Sequence, residues 1–199
     1  MKKYEFTEEI IEWEGHVLHK IRAVRSFGDV QKGDLGGYIE YEENLSHEKN
    51  AWVSDNACVL GNAIVSDNAI AMDDAIVCDN AEVSGHAEVL DNAIISSSAE
   101  VLDNAIVSGT AIVLGHARVL GNAIISKPSD VLTIGLCGIQ NDFTTFFHDK
   151  DQEISVSCGC FSGKIDEFEK RVNETYGDSK YGREYKAAIE LAKIHIMEE

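Results

Sequence analysis

The chain has few of the residues that mark several common protein classes. Its 199 residues include a single proline, and no uninterrupted apolar run approaches the length of a membrane-spanning helix. The shortage of proline argues against a collagen-like or proline-rich protein, and the short apolar runs argue against a transmembrane helix. The segment 1–15 has no apolar stretch of the kind that a secretory signal carries, so we expect a cytoplasmic protein.

Cysteine and positive charge are also scarce. Five cysteines, an odd number, fit a reducing compartment better than a disulfide framework. Lys and Arg total 17 against 35 Asp and Glu, which gives a formal net charge of −18. Such a charge repels nucleic acid and anionic lipid at long range, so neither a nucleic-acid duplex nor a membrane is predicted as a partner. A small anionic ligand remains compatible with this charge if it lies in a locally basic or amide-lined pocket.

What the chain does contain is a six-residue repeat that runs without insertion from Asn50 to Lys127. In its thirteen units the second position is always Ala, and the fourth is Val or Ile except at Ala71. Two apolar residues two positions apart point to the same side of an extended strand. Asp, Gly and Asn at the unit boundaries tolerate turn conformations, so the chain bends once per unit. Strands this short must stack on their neighbours to form a core, which predicts a β-solenoid.

The spacing of these residues resembles that of a known repeat family. A branched aliphatic residue precedes a small residue by four positions, as in Val53 and Ala57. This pattern is similar to the hexapeptide repeat of left-handed parallel β-helices. The resemblance implies a mainly β fold in which three hexapeptides make one triangular coil. It gives four coils, or five if the degenerate segment 44–49 also joins.

Composition divides the chain into three predicted segments. Residues 1–43 are rich in β-forming residues and Gly-based turns, and we interpret them as a small β cap that blocks the open sheet edge. Residues 44–127 form the β-helix. Residues 128–199 predict a C-terminal α+β domain with three short strands and two helices, because the repeat stops and helical periodicity begins near residue 164.

The third position of each unit separates apolar from charged faces of the triangular coil. Two faces are mostly apolar there, whereas the third carries Glu82, Glu100 and Arg118. An apolar stripe along a prism marks a covered surface. We predict that one stripe forms the interface of a homotrimer and that a terminal segment or a neighbour covers the other; simple β-propensity is the alternative explanation. The predicted interface residues are Trp52, Ile70, Ile106 and Ile124 on one face, and Cys58, Ile76, Ile94 and Ile112 on the second.

The segments that flank the repeats resemble a narrower group of proteins. FGDVQKGDLGGYIEYEENLS, at residues 27–46, is similar to the leading segment of bacterial, phage and prophage hexapeptide-repeat proteins described as transferases or polymer-forming repeat proteins. IGLCGIQNDFTTFF, at 134–147, and VSCGCFSGKIDEFEKRVNETYGD, at 156–178, are similar to the tail of many of them. The resemblance implies the β-helix again and a phage or prophage origin, hence the cytoplasm of a host cell. It implies no particular catalytic activity.

Candidate ligand-binding residues lie in the C-terminal segment. The related tails have an Arg near positions 138–141 and a His at position 176, whereas this chain has no Arg there and has Tyr176. These replacements put a general-acid or phosphate-gripping role in doubt. The remaining polar side chains can hydrogen-bond or stack on a ligand. The alternative explanation is structural: Asn141 lies in a turn, and Thr144 and Thr145 are ordinary strand residues. The residues predicted to bind a ligand are Asn141, Thr144, Thr145, Tyr176 and Arg183.

We predict no catalytic residue, no metal site and no cofactor. Cys158 and Cys160 form a single C-x-C pattern without a second pair of ligands, which favours buried structural thiols on one side of a strand over zinc. His86 and His116 stand at turn positions on different corners of the prism. Neither is therefore assigned as the general base that an acyltransferase needs.

Three functions remain open from the sequence. The preferred hypothesis is a non-enzymatic phage-type binding protein. In it, a trimeric β-helix displays C-terminal domains that bind a small nucleotide-like ligand, such as a signal of bacterial defence, or a host protein. The first alternative is an acyl-CoA-dependent acyltransferase, since many hexapeptide-repeat β-helices transfer acetyl groups. The second is a purely structural or polymer-forming scaffold.

Overall fold

A β-solenoid forms the centre of the molecule. The structure, a computed structural model, describes residues 2–139 and 141–197. Two-residue strands, one per repeat unit, stack in three parallel sheets of about five coils, which confirms the predicted parallel β-helix. The strands are β4 Trp52–Val53, β5 Cys58–Val59, β6 Ile64–Val65, β7 Ile70–Ala71, β8 Ile76–Val77, β9 Glu82–Val83, β10 Glu88–Val89, β11 Ile94–Ile95, β12 Glu100–Val101, β13 Ile106–Val107, β14 Ile112–Val113, β15 Arg118–Val119 and β16 Ile124–Ile125.

The strands pair one coil apart, so the third-position residues stack in rows. Cys58 pairs with Ile76, which in turn pairs with Ile94. Each ladder N–H donates to a carbonyl of the following coil; the amide of Trp52, for example, donates to the carbonyl of Ala69 at 3.0 Å. The solenoid therefore has a direction, with free carbonyl groups at its N-terminal end and free N–H groups at its C-terminal end.

The turns explain the Asp and Gly residues at the unit boundaries. Every sixth position from Asp55 to Gly121 has a positive φ, which Gly adopts without strain and Asp tolerates. The Asp carboxylates add hydrogen bonds along the corner. The carboxylate of Asp91 accepts the amide of Gly109 at 2.8 Å, and that of Asp73 accepts the amide of Asp91 at 3.2 Å. The acidic corner is thus a ladder that joins successive turns.

The second- and fourth-position side chains fill the interior of the solenoid. Each of them, from Ala51 to Ile125, is buried. Complete burial of one branched aliphatic side chain stabilises a fold by about 1.5–3 kcal/mol. The stacked Val and Ile residues are therefore the main source of stability in this part of the molecule.

An N-terminal β region extends one sheet of the solenoid. Its elements are β1 Tyr4–Trp13, β2 His16–Ala23 and β3 Leu35–Ile39, followed by a short 3-10 helix at Glu42–Asn44. β1 and β2 form an antiparallel hairpin, and β3 connects β2 to β5. Leu45 forms a parallel bridge with Val65, so the degenerate hexapeptide does take part in the first coil.

The tip of this hairpin covers part of one apolar face. Ile11 and Trp13 pack against a small cluster of buried residues on the outside of the coils. That cluster and its neighbours comprise Leu18, Tyr38, Leu60, Cys58, Ile76 and Cys78. A terminal segment therefore covers the first coils of this face. On the adjacent face, Trp52 is buried beneath Phe27, whose ring centroid lies 5.4 Å away.

The C-terminal domain is a four-stranded antiparallel sheet with two helices. After a 3-10 helix at Pro128–Asp130 its elements are β17 Val131–Cys137, β18 Asp142–His148, β19 Ile154–Cys158, β20 Phe161–Lys164, α1 Ile165–Tyr176 and α2 Lys180–Met197. The expected three strands become four because a turn at Gly159 and Cys160 returns the chain as β20. This turn leaves Cys160 exposed, so the prediction that both thiols are buried on one strand is wrong. No helix in the described part of the chain has the length and apolarity needed to cross a membrane.

Strand β18 joins this domain to the solenoid. Phe147 belongs to the solenoid core, whereas its neighbour Phe146 belongs to the core between the sheet and the helices. Alternate side chains of a strand point to opposite faces, so one strand contributes to both cores. The C-terminal sheet thereby lies across the last coil.

Side chains satisfy the open backbone groups at both ends of the solenoid. At the N-terminal end the Lys3 ammonium donates to the carbonyl of Ala51 at 2.6 Å. At the C-terminal end Thr145 Oγ1 accepts the amide of Arg118 at 3.0 Å, and the buried Asp130 carboxylate accepts another amide at 2.7 Å. Donors therefore close the carbonyl end and acceptors close the N–H end, as the direction of the ladder requires.

Candidate functional site

A cavity of about 200 Å³ lies between one end of the C-terminal sheet and the two helices. The start of β18, the turn after β19, helix α1 and the first half of α2 line it. Its size suits one ring system or a small ion rather than a large cofactor, because typical ligand pockets measure about 300–1,000 Å³. The side chains that determine its chemistry are those of Asp142, Cys158, Phe161, Arg171, Tyr176 and Tyr185.

Aromatic rings form one wall of this cavity. Phe168 lies on the buried side of α1, with its ring centroid 5.1 Å from that of Phe161. It meets Tyr185 edge to face, at 5.5 Å and 86°. Tyr176, at the end of α1, lies 5.7 Å from Tyr185. Such packing fixes the rings in place, so the wall offers a rigid surface for a planar ligand.

Tyr185 is a neutral hydrogen-bonding group at the back of the cavity. Its hydroxyl donates to the carbonyl of Cys137 at 3.4 Å, and burial, followed by the neighbouring Cys158, raises the pKa of Tyr185. The chain passes very close to this hydroxyl at Gly138, where a Cβ would lie 2.1 Å from Oη. Only glycine fits at that position.

Arg171 supplies positive charge to the cavity. Its guanidinium lies 5.7 Å from the centroid of the Phe161 ring, a distance at which a cation–π interaction forms. Among the described residues no carboxylate forms an ion pair with Arg171. The Asp142 carboxylate belongs to the same lining and adds an acceptor. The cavity thus combines an aromatic wall with one unpaired cation.

The thiol in this cavity is a hydrogen-bonded structural group. Thr144 Oγ1 donates to Cys158 Sγ at 3.1 Å, and the thiol lies 3.8 Å from Tyr185 Oη. Within the described lining no imidazole stands beside Cys158, so the thiol has no general base to activate it.

The structure places only some of the predicted ligand-binding residues near the cavity. Tyr176 lines it, and Thr144 lies directly behind Cys158. Thr145 is buried on the solenoid side, where it accepts the amide of Arg118. Thr144 and Thr145 therefore have structural hydrogen-bond partners, and the role of all three side chains in binding stays a prediction.

Asn141 and Arg183 are exposed. Asn141 occupies the turn before β18 with a φ of 52°, and the Arg183 guanidinium donates to the carbonyl of Asp178 at 3.2 Å. Arg171, which lines the cavity, is not among the residues predicted from the sequence. Thr175 lies one helical turn after Arg171, and Tyr176 follows it directly. This spacing places the three residues near one side of the helix, which is the sequence signal that they line the same cavity.

The predicted interface residues divide into covered and partly exposed groups. Trp52, Cys58 and Ile76 are covered by the N-terminal segment of the same chain. Ile112 is 38 % exposed, the highest value among the others. The partly exposed residues are Ile70, Ile94, Ile106, Ile112 and Ile124. Participation of these residues in an oligomer interface stays a prediction.

The two solenoid histidines occupy different surroundings. His86 continues a ladder of turn residues, with its ring 3.2 Å from the Asn68 amide nitrogen. The ring of His116 packs against Phe143 at 4.3 Å, beside a second cavity of about 230 Å³. Within residues 2–139 and 141–197 no group of three or more His, Cys, Asp or Glu side chains is arranged to hold a metal ion.

Comparison with known proteins adds no family assignment. No family model matches the chain, and no curated protein is significantly similar to it. The features of the chain that bear on its function are the chemistry of the C-terminal cavity and the surface of the solenoid.

Proposed function

We propose that this protein is a non-enzymatic binding protein in which the solenoid carries the C-terminal domain. The cavity beside Tyr176 binds a small planar ligand that bears a negative charge. The ligand stacks on the aromatic wall while Arg171 pairs with its charge. The Asp142 carboxylate and the Tyr185 hydroxyl oxygen, whose proton is donated to Cys137, supply two hydrogen-bond acceptors that fix its orientation.

The observation that carries this proposal is the unpaired Arg171. The chain has 35 acidic residues against 17 basic ones, so carboxylate partners are plentiful. In the described part of the chain the exposed guanidinium of Arg171 lies over the ring of Phe161 and forms no ion pair with a carboxylate. Arginine at the mouth of an aromatic cavity suits an anionic group, because its planar fork matches carboxylate and phosphate oxygens.

We propose a phage or prophage origin and a nucleotide-like ligand. The similarity of segments 27–46 and 156–178 to phage repeat proteins supports the origin. A nucleotide offers both the planar ring and the negative charge that the cavity chemistry favours. Sequestration of a host defence signal is then the biological role, with a host protein as the alternative partner.

We also propose that three copies associate through the partly exposed isoleucine rows. Ile106 and Ile124 are adjacent in one row, in which Glu88 separates them from Ile70. Ile94 and Ile112 continue the row of Ile76 beyond the part that the hairpin covers. Aliphatic rows on the outside of a strongly charged protein favour burial against a second copy. Association of three copies would hold three C-terminal domains together.

Ligand retention tests the cavity. Native mass spectrometry of protein taken gently from its host cells should detect a small molecule that is released on denaturation. Arg171→Gln and Tyr176→Ala should each lower its occupancy by about tenfold or more, because each removes a charge-assisted bond or a stacking surface. Arg22→Gln is the matched control and should retain the ligand, because Arg22 is exposed on the N-terminal hairpin and pairs with Glu5. Equal occupancy in all four proteins would refute the site.

The same spectra test the assembly. The wild type should appear as a trimer, and placing a carboxylate on the interface row, in Ile106→Asp or Ile112→Asp, should give monomers. The variant that dissociates identifies the face used. A wild-type protein that is monomeric at micromolar concentration would contradict the trimer and leave the cavity proposal to its own test.

A further inference from the structure

Two buried side-chain nitrogens have no hydrogen-bond partner in the described part of the chain. They are Arg25 Nε and His47 Nε2, and both lie at the N-terminal end of the solenoid. A buried N–H group without an acceptor costs about 1–3 kcal/mol, so such groups are rare in folded proteins. Both residues neighbour Lys3, because His47 accepts its backbone amide and Arg25 acts on its ammonium.

A fully buried lysine stands beside Arg25. Lys3 has 0 % exposure, and its ammonium uses one donor on the Ala51 carbonyl, at 2.6 Å. Both Lys3 and Arg25 approach the ring of Phe27, at 4.9 Å and 5.8 Å from its centroid. Burial, and then the charge of Arg25, lowers the pKa of Lys3 to about 8. No carboxylate in residues 2–139 or 141–197 forms an ion pair with either cation.

His47 adds a third donor. Its Nδ1 accepts the backbone amide of Lys3 at 3.3 Å, so in the neutral ring the proton resides on Nε2. The ring also packs on Tyr4, with centroids 4.4 Å apart, which fixes its orientation. The Glu42 carboxylate, which pairs with the exposed Lys2, acts electrostatically on His47 but does not hydrogen-bond to Nε2.

We propose that the N-terminal end of the solenoid binds a small oxyanion through Lys3, Arg25 and His47. A phosphate or carboxylate group has several acceptor lone pairs and a negative charge, so it satisfies the free donors and offsets two unpaired cations together. Water satisfies a donor but not a buried charge. The oxyanion is either free in solution or a carboxylate of a second copy of this chain, which is rich in Asp and Glu. This site lies at the opposite end of the solenoid from the cavity and does not depend on its ligand.

Thermal unfolding in inorganic phosphate tests the site. Phosphate at about ten times its Kd should raise the melting temperature of the full chain by about 5 °C relative to chloride at equal ionic strength, because it binds only the folded protein. Arg25→Gln should abolish this rise. Arg22→Gln should keep it, because Arg22 is exposed and pairs with Glu5. A rise of the same size in the Arg25→Gln protein would overturn the assignment.

A second measurement follows the His47 ring in the wild-type protein. In a phosphate titration followed by NMR, the ring signals of His47 should shift with saturation, whereas those of the exposed His195 should not move. Sedimentation velocity separates the two sources of the anion. Phosphate-sensitive self-association that Arg25→Gln abolishes identifies a carboxylate of a second copy, and a phosphate shift without association identifies a free anion. If phosphate moves neither the His47 signals nor the association, the donors are satisfied by water and the proposal fails.

Discussion

At the scale of single residues, the sixth position of each repeat unit shows how backbone conformation selects a side chain. Positive φ at this position excludes branched residues and favours Gly and Asp. Asp has a further advantage, since its carboxylate accepts an amide one coil later, as in Asp91 to Gly109. Asp at this position therefore adds a hydrogen bond, whereas Gly leaves the backbone unstrained.

Substitution of Asp91 separates these two contributions. Asp91→Ala should lower the free energy of unfolding by about 2 kcal/mol, because it loses the hydrogen bond and places a Cβ residue without a compensating contact at positive φ. Asp91→Gly should cost about 1 kcal/mol, because only the hydrogen bond is lost. Urea denaturation of both variants measures the difference. Equal losses would mean that the positive φ carries no strain.

The residues whose role could be predicted from the sequence are those whose surroundings are set by nearby repeat units. The faces, rows and turns of the solenoid follow from the repeat alone, because each residue meets its own equivalents one coil away. Arg171 and Gly138 were not identified from the sequence, since the aromatic wall and the Tyr185 hydroxyl that define their roles come from distant segments. Long-range packing, rather than local propensity, determines the cavity.

At the scale of elements, the N-terminal hairpin protects the solenoid surface from solvent. Trp13 and Ile11 pack on the face of the solenoid that contains Cys58 and Cys78, and both thiols are free. Burial, with a smaller contribution from neighbouring carboxylates, raises the pKa of each of these thiols to about 11. Strand β1 was not predicted because its many Glu residues hide the apolar side that packs on the coils.

Removal of the hairpin contact should expose a thiol. In Trp13→Ala the alkylation rate of Cys78 at pH 8 should rise several-fold, because access increases and the thiolate is better solvated. The exposed Cys160 provides an internal control whose rate should not change. Peptide mass spectrometry after timed alkylation measures both sites in one sample. An unchanged alkylation rate of Cys78 would show that the hairpin does not shield this face of the solenoid.

At the scale of the whole molecule, the solenoid is a spacer whose length is set in units of eighteen residues. Hydrogen bonds and turn ladders both connect residues one coil apart. In the described part of the chain the C-terminal domain contacts the last coils, for example through Thr145 and Phe147. A change of one complete coil should therefore leave both ends in their original surroundings.

Two deletions test this modularity. Removal of residues 86–103, one coil, should give a folded protein whose melting temperature falls by only a few degrees, since Glu82 then replaces Glu100 beside Arg118. Removal of residues 98–103, one third of a coil, places the C-terminal domain on the next face of the solenoid. This variant should lose most of its cooperative thermal unfolding transition. Circular dichroism on heating compares the two. Similar stability of both would show that the domain does not depend on a particular face.

The ordered direction of the backbone ladder gives the molecule two chemically distinct ends. One end presents carbonyl groups that donors such as Lys3 close, and the other presents N–H groups that Thr145 and Asp130 close. Uncapped ends of this kind are mutually complementary, so solenoids stripped of their caps would add head to tail and grow into fibres of unlimited length. The terminal segments thus act as chain stoppers that hold a polymerisable element at a fixed size.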